Sequence, residues 1–174
     1  MDFRESLWAF VQQPLPLLVL AAALALSWPL GAVLARRRRC SRTGASLFLG
    51  ATGLVAALTL TPSTLAGGPD YPHFLTLLHH TPGALRGQLF GPPADIEQIA
   101  NIALYVPIGV FGRMVWPSVT RATLVGLALT AGIELCQYDI AGRAGSLTDI
   151  RNNMIGAFVG ALLTALAIRR RRSS

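Results

Sequence analysis

The chain contains no lysine and few charged residues of any kind. Only 13% of its 174 residues are charged, all fifteen basic residues are arginines, and hydrophobic residues make up 52%. A soluble domain of this size could not bury so many apolar helices, and several apolar runs approach the roughly 20 residues that a membrane span requires. The composition therefore excludes an ordinary soluble domain and indicates an integral membrane protein.

Several motifs of soluble enzymes and binding proteins are also missing. The spacing of the two cysteines, Cys40 and Cys136, matches no zinc site, and we predict that they lie on opposite sides of the membrane, too far apart for a disulfide. No P-loop, G-x-G-x-x-G or serine–histidine–aspartate pattern is present. His73, His79 and His80 could bind a metal ion together with Asp70, but their spacing matches no known ligand pattern, so we predict no metal and no cofactor. The arginines form no basic stripe with interleaved aromatics, which argues against nucleic-acid binding.

Apolar runs alternate with polar segments, which predicts an all-α, polytopic bundle of about five transmembrane helices. The first run is an anchor rather than a signal peptide, because its positive charges follow the apolar residues. The predicted spans are 14–35, 44–65, 96–116, 122–138 and 148–168. The predicted segments are a two-helix unit (1–65), an extracytoplasmic loop in which 71–80 could form an interfacial helix (66–95), a three-helix core (96–168) and a basic tail (169–174).

The arginines predict the direction of these spans. Alternation of five spans places five, two and four arginines in segments 36–43, 113–121 and 169–174 on one side, and only four arginines on the other. Excess arginine marks the cytoplasmic side of a membrane. We therefore predict an N-terminus outside the cell and a cytoplasmic C-terminus, with anionic-lipid contact as an open role for the arginine runs.

Polar residues recur at the outer ends of the last three spans. Glu134 lies within the apolar run TAGIELCQ, where a charge costs about 2.5–3.5 kcal/mol on insertion scales, so we expect it to face a partner. We expect these partners to be the guanidinium of Arg143 or Arg151 together with the amide of Asn101 or Asn153. The alternative is a purely structural role in which these polar groups only fix helix register. The predicted functional cluster is Asp95, Glu97, Asn101, Glu134, Gln137, Arg143, Asp149 and Asn153.

Small residues and a proline predict close helix contacts. Gly156 and Gly160 form a G-x-x-x-G pattern, which packs helices either within one chain or between copies, so a homo-oligomer stays an open alternative. Pro107 removes one backbone hydrogen bond and should kink the third span near Ala103, either as a packing feature or to open a cavity beside Asn101. The predicted packing residues are Pro107, Gly109, Gly156 and Gly160.

Four stretches together resemble the VanZ-like family: NIALYVPIG (101–109), IELCQ (133–137), GR (142–143) and DIRNNMIGAFVG (149–160). The resemblance covers about residues 95–168 and keeps the family's order and spacing. The family is named for an accessory protein of teicoplanin resistance. The resemblance therefore implies a bacterial, multi-pass plasma-membrane protein, and it implies no chemical mechanism.

Three functional interpretations are consistent with these features, and membrane lipids are partners in all of them. The preferred one is a non-enzymatic envelope protein whose outer polar pocket binds a lipid-linked wall precursor or a glycopeptide, with Arg143 on an anionic headgroup and Glu134 holding that arginine. The second is a membrane-embedded enzyme in which Glu134 or Asp149 is the general base on an envelope lipid. The third is a small transporter, which would need polar residues through the whole membrane depth.

Overall fold

A computed structural model describes residues 14–61, 83, 86–87, 90–93, 96–137 and 146–173. These residues form five α-helices, and no strand occurs among them. The helices are α1 (Pro14–Arg38), α2 (Arg42–Thr59), α3 (Ile96–Val115), α4 (Val119–Gln137) and α5 (Leu147–Ser173). The prediction of an all-α bundle is therefore confirmed, and each helix coincides with one predicted span.

Four of these helices, α1, α3, α4 and α5, are long and apolar enough to cross a membrane. The fifth, α2, has only 18 residues, begins at Arg42 and carries several glycines and threonines along its length. It ends at Thr59, short of the predicted boundary at residue 65, and residues 62–65 lie outside the described part of the chain. The direction of the bundle across the membrane stays a prediction.

A three-residue turn joins α1 to α2 and makes them antiparallel neighbours. Arg39 adopts a left-handed backbone conformation with φ of 52°. This conformation lets the Cys40 amide donate a hydrogen bond to the Ala35 carbonyl at 3.2 Å. Ser41 then caps α2, since its hydroxyl accepts a hydrogen bond from the Gly44 amide at 2.9 Å.

The bundle has two chemically different ends. The α1–α2 turn, the α3–α4 turn at 116–118 and the C-terminus of α5 lie together at what we call the arginine end. The opposite end, called the polar end, contains the C-termini of α2 and α4 and the N-termini of α1, α3 and α5. The arginine end carries Arg36–Arg39, Arg42, Arg113, Arg121 and Arg169–Arg171.

The central helix is α3, which contacts α2 and α4 and packs most extensively against α5. Its Tyr105 and Ile108 are fully buried, and α1 packs chiefly against α2. Apolar burial between helices that are themselves surrounded by lipid contributes through close packing rather than through removal of water. The core around α3 includes Phe48, Val55, Ile133 and Ala157.

Glycines bring α3 and α5 into backbone contact. A Cβ at Gly156 would overlap the carbonyl oxygen of Ile102, and one at Gly160 would overlap that of Val106. Gly109 makes the reciprocal close approach from α3 to α5. The G-x-x-x-G pattern therefore packs within the chain, and a homo-oligomer through another surface stays an open alternative.

Pro107 lies inside α3, which continues through it. Together with Phe111 it lines an apolar groove of about 500 Å³ that runs between α1, α2 and α3. Asn101 does not line this groove, so the groove is not the cavity that was expected beside Asn101. The kink near Ala103 stays a prediction.

Candidate functional site

The polar end contains a cluster of buried polar side chains contributed by α3, α4 and α5. Thr130 and Asn152 are fully buried, and Glu134 and Asn153 are each only 4% exposed. Polar groups at such positions need hydrogen-bond partners, because neither lipid nor protein interior replaces the lost water. The pairing of each group therefore decides whether the cluster only holds the bundle together or can also bind a ligand.

Glu134 is held at the N-terminus of α5. Its Oε2 accepts a hydrogen bond from the Ser146 amide at 2.7 Å. Ser146 itself caps α5, because its hydroxyl accepts a hydrogen bond from the Asp149 amide at 3.3 Å. The carboxylate of Glu134 therefore lies at the positive end of the α5 dipole, which stabilises a negative charge. Arg143, expected as a partner, lies outside the described residues.

A second hydrogen bond joins α3 to α5. Asn101 Nδ2 donates to Asp149 Oδ1 at 2.7 Å, so this amide pairs with Asp149 rather than with Glu134. Glu97, one turn earlier on α3, is exposed. Asp95 lies outside the described residues. Of the acidic residues predicted in the cluster, Glu134 and Asp149 are the two that the structure brings together around the start of α5.

Two further hydrogen bonds connect α4 to its neighbours. Asn153 Nδ2 donates to Thr130 Oγ1 at 2.8 Å, which links α5 to α4. Gln137 Nε2 donates to the main-chain carbonyl of Thr59 at 3.0 Å, which links α4 to the end of α2. The polar end is therefore a hydrogen-bonded junction of four helices, in which Gln137 and Asn153 of the predicted cluster both take part.

Arg151 faces the segment that precedes α3. Its Nε and Nη2 donate to Asn152 Oδ1 at 3.1 and 2.9 Å, and its Nη1 donates to the Gly91 carbonyl. Arg151 follows Asp149 by two positions, which turns it to the other side of α5. Its described partners therefore differ from the expected pairing with Glu134.

Three buried polar atoms in this cluster have no hydrogen-bond partner: the Tyr105 hydroxyl, Asn152 Nδ2 and Asn153 Oδ1. The Tyr105 hydroxyl lies beside the Thr130 hydroxyl and within electrostatic range of Glu134, but its contact with Thr130 falls short of ordinary hydrogen-bond geometry. Such buried, unpaired groups typically cost about 1–3 kcal/mol each. Together they offer one amide donor, one amide oxygen acceptor and one hydroxyl that can do both.

Several of these residues were not predicted from the sequence, although some carried a signal. Tyr105 follows Asn101 by four positions, and Thr130 precedes Glu134 by four, so each shares a helix face with a predicted residue. Ser146 stands three residues before Asp149, which is a helix-start pattern. No pattern marked Asn152, or the main-chain carbonyl of Thr59.

The described residues contain no group of three or more histidine, cysteine or acidic side chains placed to hold a metal ion. His73, His79 and His80 and the proposed interfacial helix at 71–80 lie outside the described residues. The described site therefore consists of fixed hydrogen-bond donors and acceptors around the carboxylates of Glu134 and Asp149.

The sequence model of the family described as VanZ/LLP1 matches residues 48–168. This match extends the resemblance, first noted over about 95–168, back through most of α2. No curated protein and no solved structure matches the chain. The matched region contains the four-helix polar junction and the glycine contact between α3 and α5. Because it covers well over half of the sequence, the chain belongs to the VanZ/LLP1 family.

Proposed function

We propose that this membrane protein is non-enzymatic and that its polar end binds the polar part of a lipid-linked wall precursor or of a lipoglycopeptide. Binding of this kind would lower susceptibility to teicoplanin, the role for which the family is named. The observation that supports the proposal is the set of unpaired, buried polar atoms on Tyr105, Asn152 and Asn153. A ligand that satisfied them would recover the hydrogen bonds that the cluster itself leaves unmade.

The chemistry of these atoms favours an amide- and hydroxyl-rich ligand. Asn152 Nδ2 can donate, Asn153 Oδ1 can accept, and the Tyr105 hydroxyl can do either. Peptide and carbohydrate groups carry donors and acceptors in similar numbers, whereas a bare phosphate carries acceptors only. Stem peptides, sugars and glycopeptides are therefore the ligand classes that match the cluster.

The distribution of arginine supports a polar end that faces the cell exterior of a bacterial plasma membrane. Arginine groups such as Arg36–Arg39 and Arg169–Arg171 lie at the opposite end of the bundle. The positive-inside rule assigns such an end to the cytoplasm. Wall precursors and glycopeptide antibiotics meet on the outer surface, which is where this orientation would place the cluster.

A second candidate function is an enzyme that acts on an envelope lipid, because Glu134 and Asp149 lie together at the start of α5. Glu134 would then act as a general base. This alternative requires a titratable carboxylate, whereas the binding function requires only a hydrogen-bond acceptor. Replacement of Glu134 by glutamine distinguishes the two.

The test is growth inhibition by teicoplanin and by vancomycin in a susceptible Gram-positive host that expresses the full chain. Tyr105→Phe is the decisive variant, because it removes one of the three unpaired polar groups and keeps the aromatic ring that packs in the core. Glu134→Ala removes the carboxylate that joins α4 to α5. Glu97→Ala is the control, since this acid is exposed. All variants are compared at equal membrane abundance.

We expect the wild type and Glu97→Ala to protect against teicoplanin, and Tyr105→Phe and Glu134→Ala to lose most of that protection. Full protection by Tyr105→Phe would mean that the unpaired atoms do not contact a ligand. Loss of protection in Glu134→Gln with full protection in Tyr105→Phe would favour the enzyme. Absence of protection by the wild type would remove the antibiotic role.

A further inference from the structure

The apolar groove between α1, α2 and α3 lies away from the polar end and takes no part in the function proposed above. Its walls are formed by aliphatic and aromatic side chains over a volume of about 500 Å³. All three helices contribute lining residues, which include Leu24, Trp28, Ser46, Gly50, Pro107 and Phe111. Because α1 and α3, two of the three helices that form it, are long and apolar enough to span a membrane, the groove opens towards hydrocarbon.

A small basic pocket adjoins the groove at the arginine end. It has a volume of about 290 Å³ and lies between the end of α1 and the start of α2, where Arg36 and Arg42 contribute to its walls. The Arg42 guanidinium stacks on the ring of Trp28 at 4.1 Å, and Trp28 is itself a wall of the groove. Arg42 therefore joins the basic pocket to the apolar groove.

The groove offers apolar contacts rather than hydrogen bonds. Ser46, one of its lining residues, is 7% exposed, and its Oγ packs against Gly31 of α1 rather than towards the groove. Polar recognition at this face therefore falls to Arg36 and Arg42.

The length of the groove fits one leaflet of a bilayer. On α2 its lining residues run from Thr43 to Leu54, eleven positions apart, which corresponds to about 16 Å of helix. Half of a hydrocarbon core of about 30 Å is about 15 Å. An acyl chain that starts at the arginine end would therefore fill the groove along its whole length.

We infer that this face of the protein is a specific binding site for an anionic phospholipid in the leaflet that meets the arginine end. Arg36 and Arg42 hold the phosphate, and one acyl chain lies in the groove. Two exposed guanidiniums beside an apolar groove complement a lipid that is negatively charged at one end and apolar at the other. The partner is the membrane lipid itself rather than the ligand of the polar end.

The headgroup is tested by native mass spectrometry of the full chain in detergent with equal amounts of phosphatidylglycerol and phosphatidylcholine. We expect the first bound lipid to be phosphatidylglycerol. The double variant Arg36→Gln/Arg42→Gln should lower that preference by roughly 30-fold, because each of the two lost arginines attracts an anionic lipid by about 1 kcal/mol. The control is Arg169→Gln/Arg171→Gln, which removes the same charge from exposed positions of α5 at the same end.

The acyl chain is tested with lipids brominated on their chains, which quench tryptophan fluorescence at short range. In a chain that carries Trp8→Phe and Trp116→Phe, only Trp28 reports. We expect brominated phosphatidylglycerol to quench Trp28 more strongly than brominated phosphatidylcholine does. Gly50→Leu should reduce this quenching, because a Cβ at Gly50 makes an ordinary 3.5 Å contact with Leu24 and a longer side chain there would occupy the groove.

Three results would overturn the inference. The first is equal retention of the two lipids by the wild type. The second is an equal loss of preference in both double arginine variants, which would assign the effect to diffuse attraction by the whole arginine end. The third is equal quenching of Trp28 by the two brominated lipids. The comparison of the two brominated lipids uses the unaltered groove. It therefore tests the inference even if Gly50→Leu folds poorly.

Discussion

Glu134 shows how a carboxylate is accommodated within an apolar helix. Its described partner is a main-chain amide, donated by Ser146, the cap residue just before α5. In a capping box, a glutamate on the same helix accepts a hydrogen bond from the cap amide. Here a glutamate from the preceding helix takes that place, so the buried acid also fixes how α4 meets α5.

This arrangement predicts different stabilities for two replacements of Glu134. Glutamine keeps an oxygen that can accept the Ser146 hydrogen bond, so Glu134→Gln should stay within about 1 kcal/mol of the wild type in free energy of unfolding. Alanine leaves the amide without its partner, and Glu134→Ala should lose about 1–3 kcal/mol. Unfolding by steric trapping in micelles measures both, with the exposed Glu97→Ala as control. Equal losses for glutamine and alanine would contradict this account.

The sequence indicated which residues share a polar helix face, but not how they pair. Asn101, Asp149 and Asn153 were predicted in a functional polar cluster, and the structure shows each of them in a hydrogen bond between helices. It did not predict that Asn101 would pair with Asp149 and Asn153 with Thr130. The spacing of residues along one helix shows which of them share a face. Their hydrogen-bond partners on another helix depend on the relative height and rotation of the two helices, and spacing gives no information about either.

The helices themselves followed from local chemistry. Arginine runs stop the apolar segments at the end of α1 and α5, and Ser41 starts α2. The early end of α2 was not predicted, because an apolar stretch does not show where the backbone leaves the helix. At this end of α2, the hydroxyls of Thr59 and Thr61 each donate a hydrogen bond to the main-chain carbonyl four residues earlier.

The contact between α3 and α5 makes a sharp prediction for glycine replacements. In Gly156→Ala the new Cβ would overlap the Ile102 carbonyl, so the helices must separate, at a cost of about 1–3 kcal/mol. Gly132→Ala on α4 is the matched control, since nothing lies within 4 Å of a Cβ there. Thermal unfolding in detergent compares the two variants. If Gly132→Ala destabilised the protein as much as Gly156→Ala, the loss at Gly156 could not be assigned to the contact between α3 and α5.

The whole molecule separates two kinds of chemistry along its axis. Hydrogen-bonded amides and carboxylates lie at the polar end, whereas guanidiniums and an adjoining apolar groove occupy the arginine end. The sequence predicted this separation because alternating helices bring every second connection to the same side. It did not predict the groove, which arises from how α1, α2 and α3 pack and has no pattern in any one segment.

The two free cysteines provide a direct measurement of orientation, because they lie at opposite ends of the bundle. Cys136 is exposed near the end of α4, at the polar end, and Cys40 is half-buried in the turn at the arginine end. In intact cells, a membrane-impermeant maleimide should label a Cys40→Ser variant through Cys136. A Cys136→Ser variant should be labelled at Cys40 only after permeabilisation, because the positive-inside rule predicts that the arginine-rich turn is cytoplasmic. The opposite pattern would put the polar cluster on the cytoplasmic side, where it could not meet an extracellular glycopeptide.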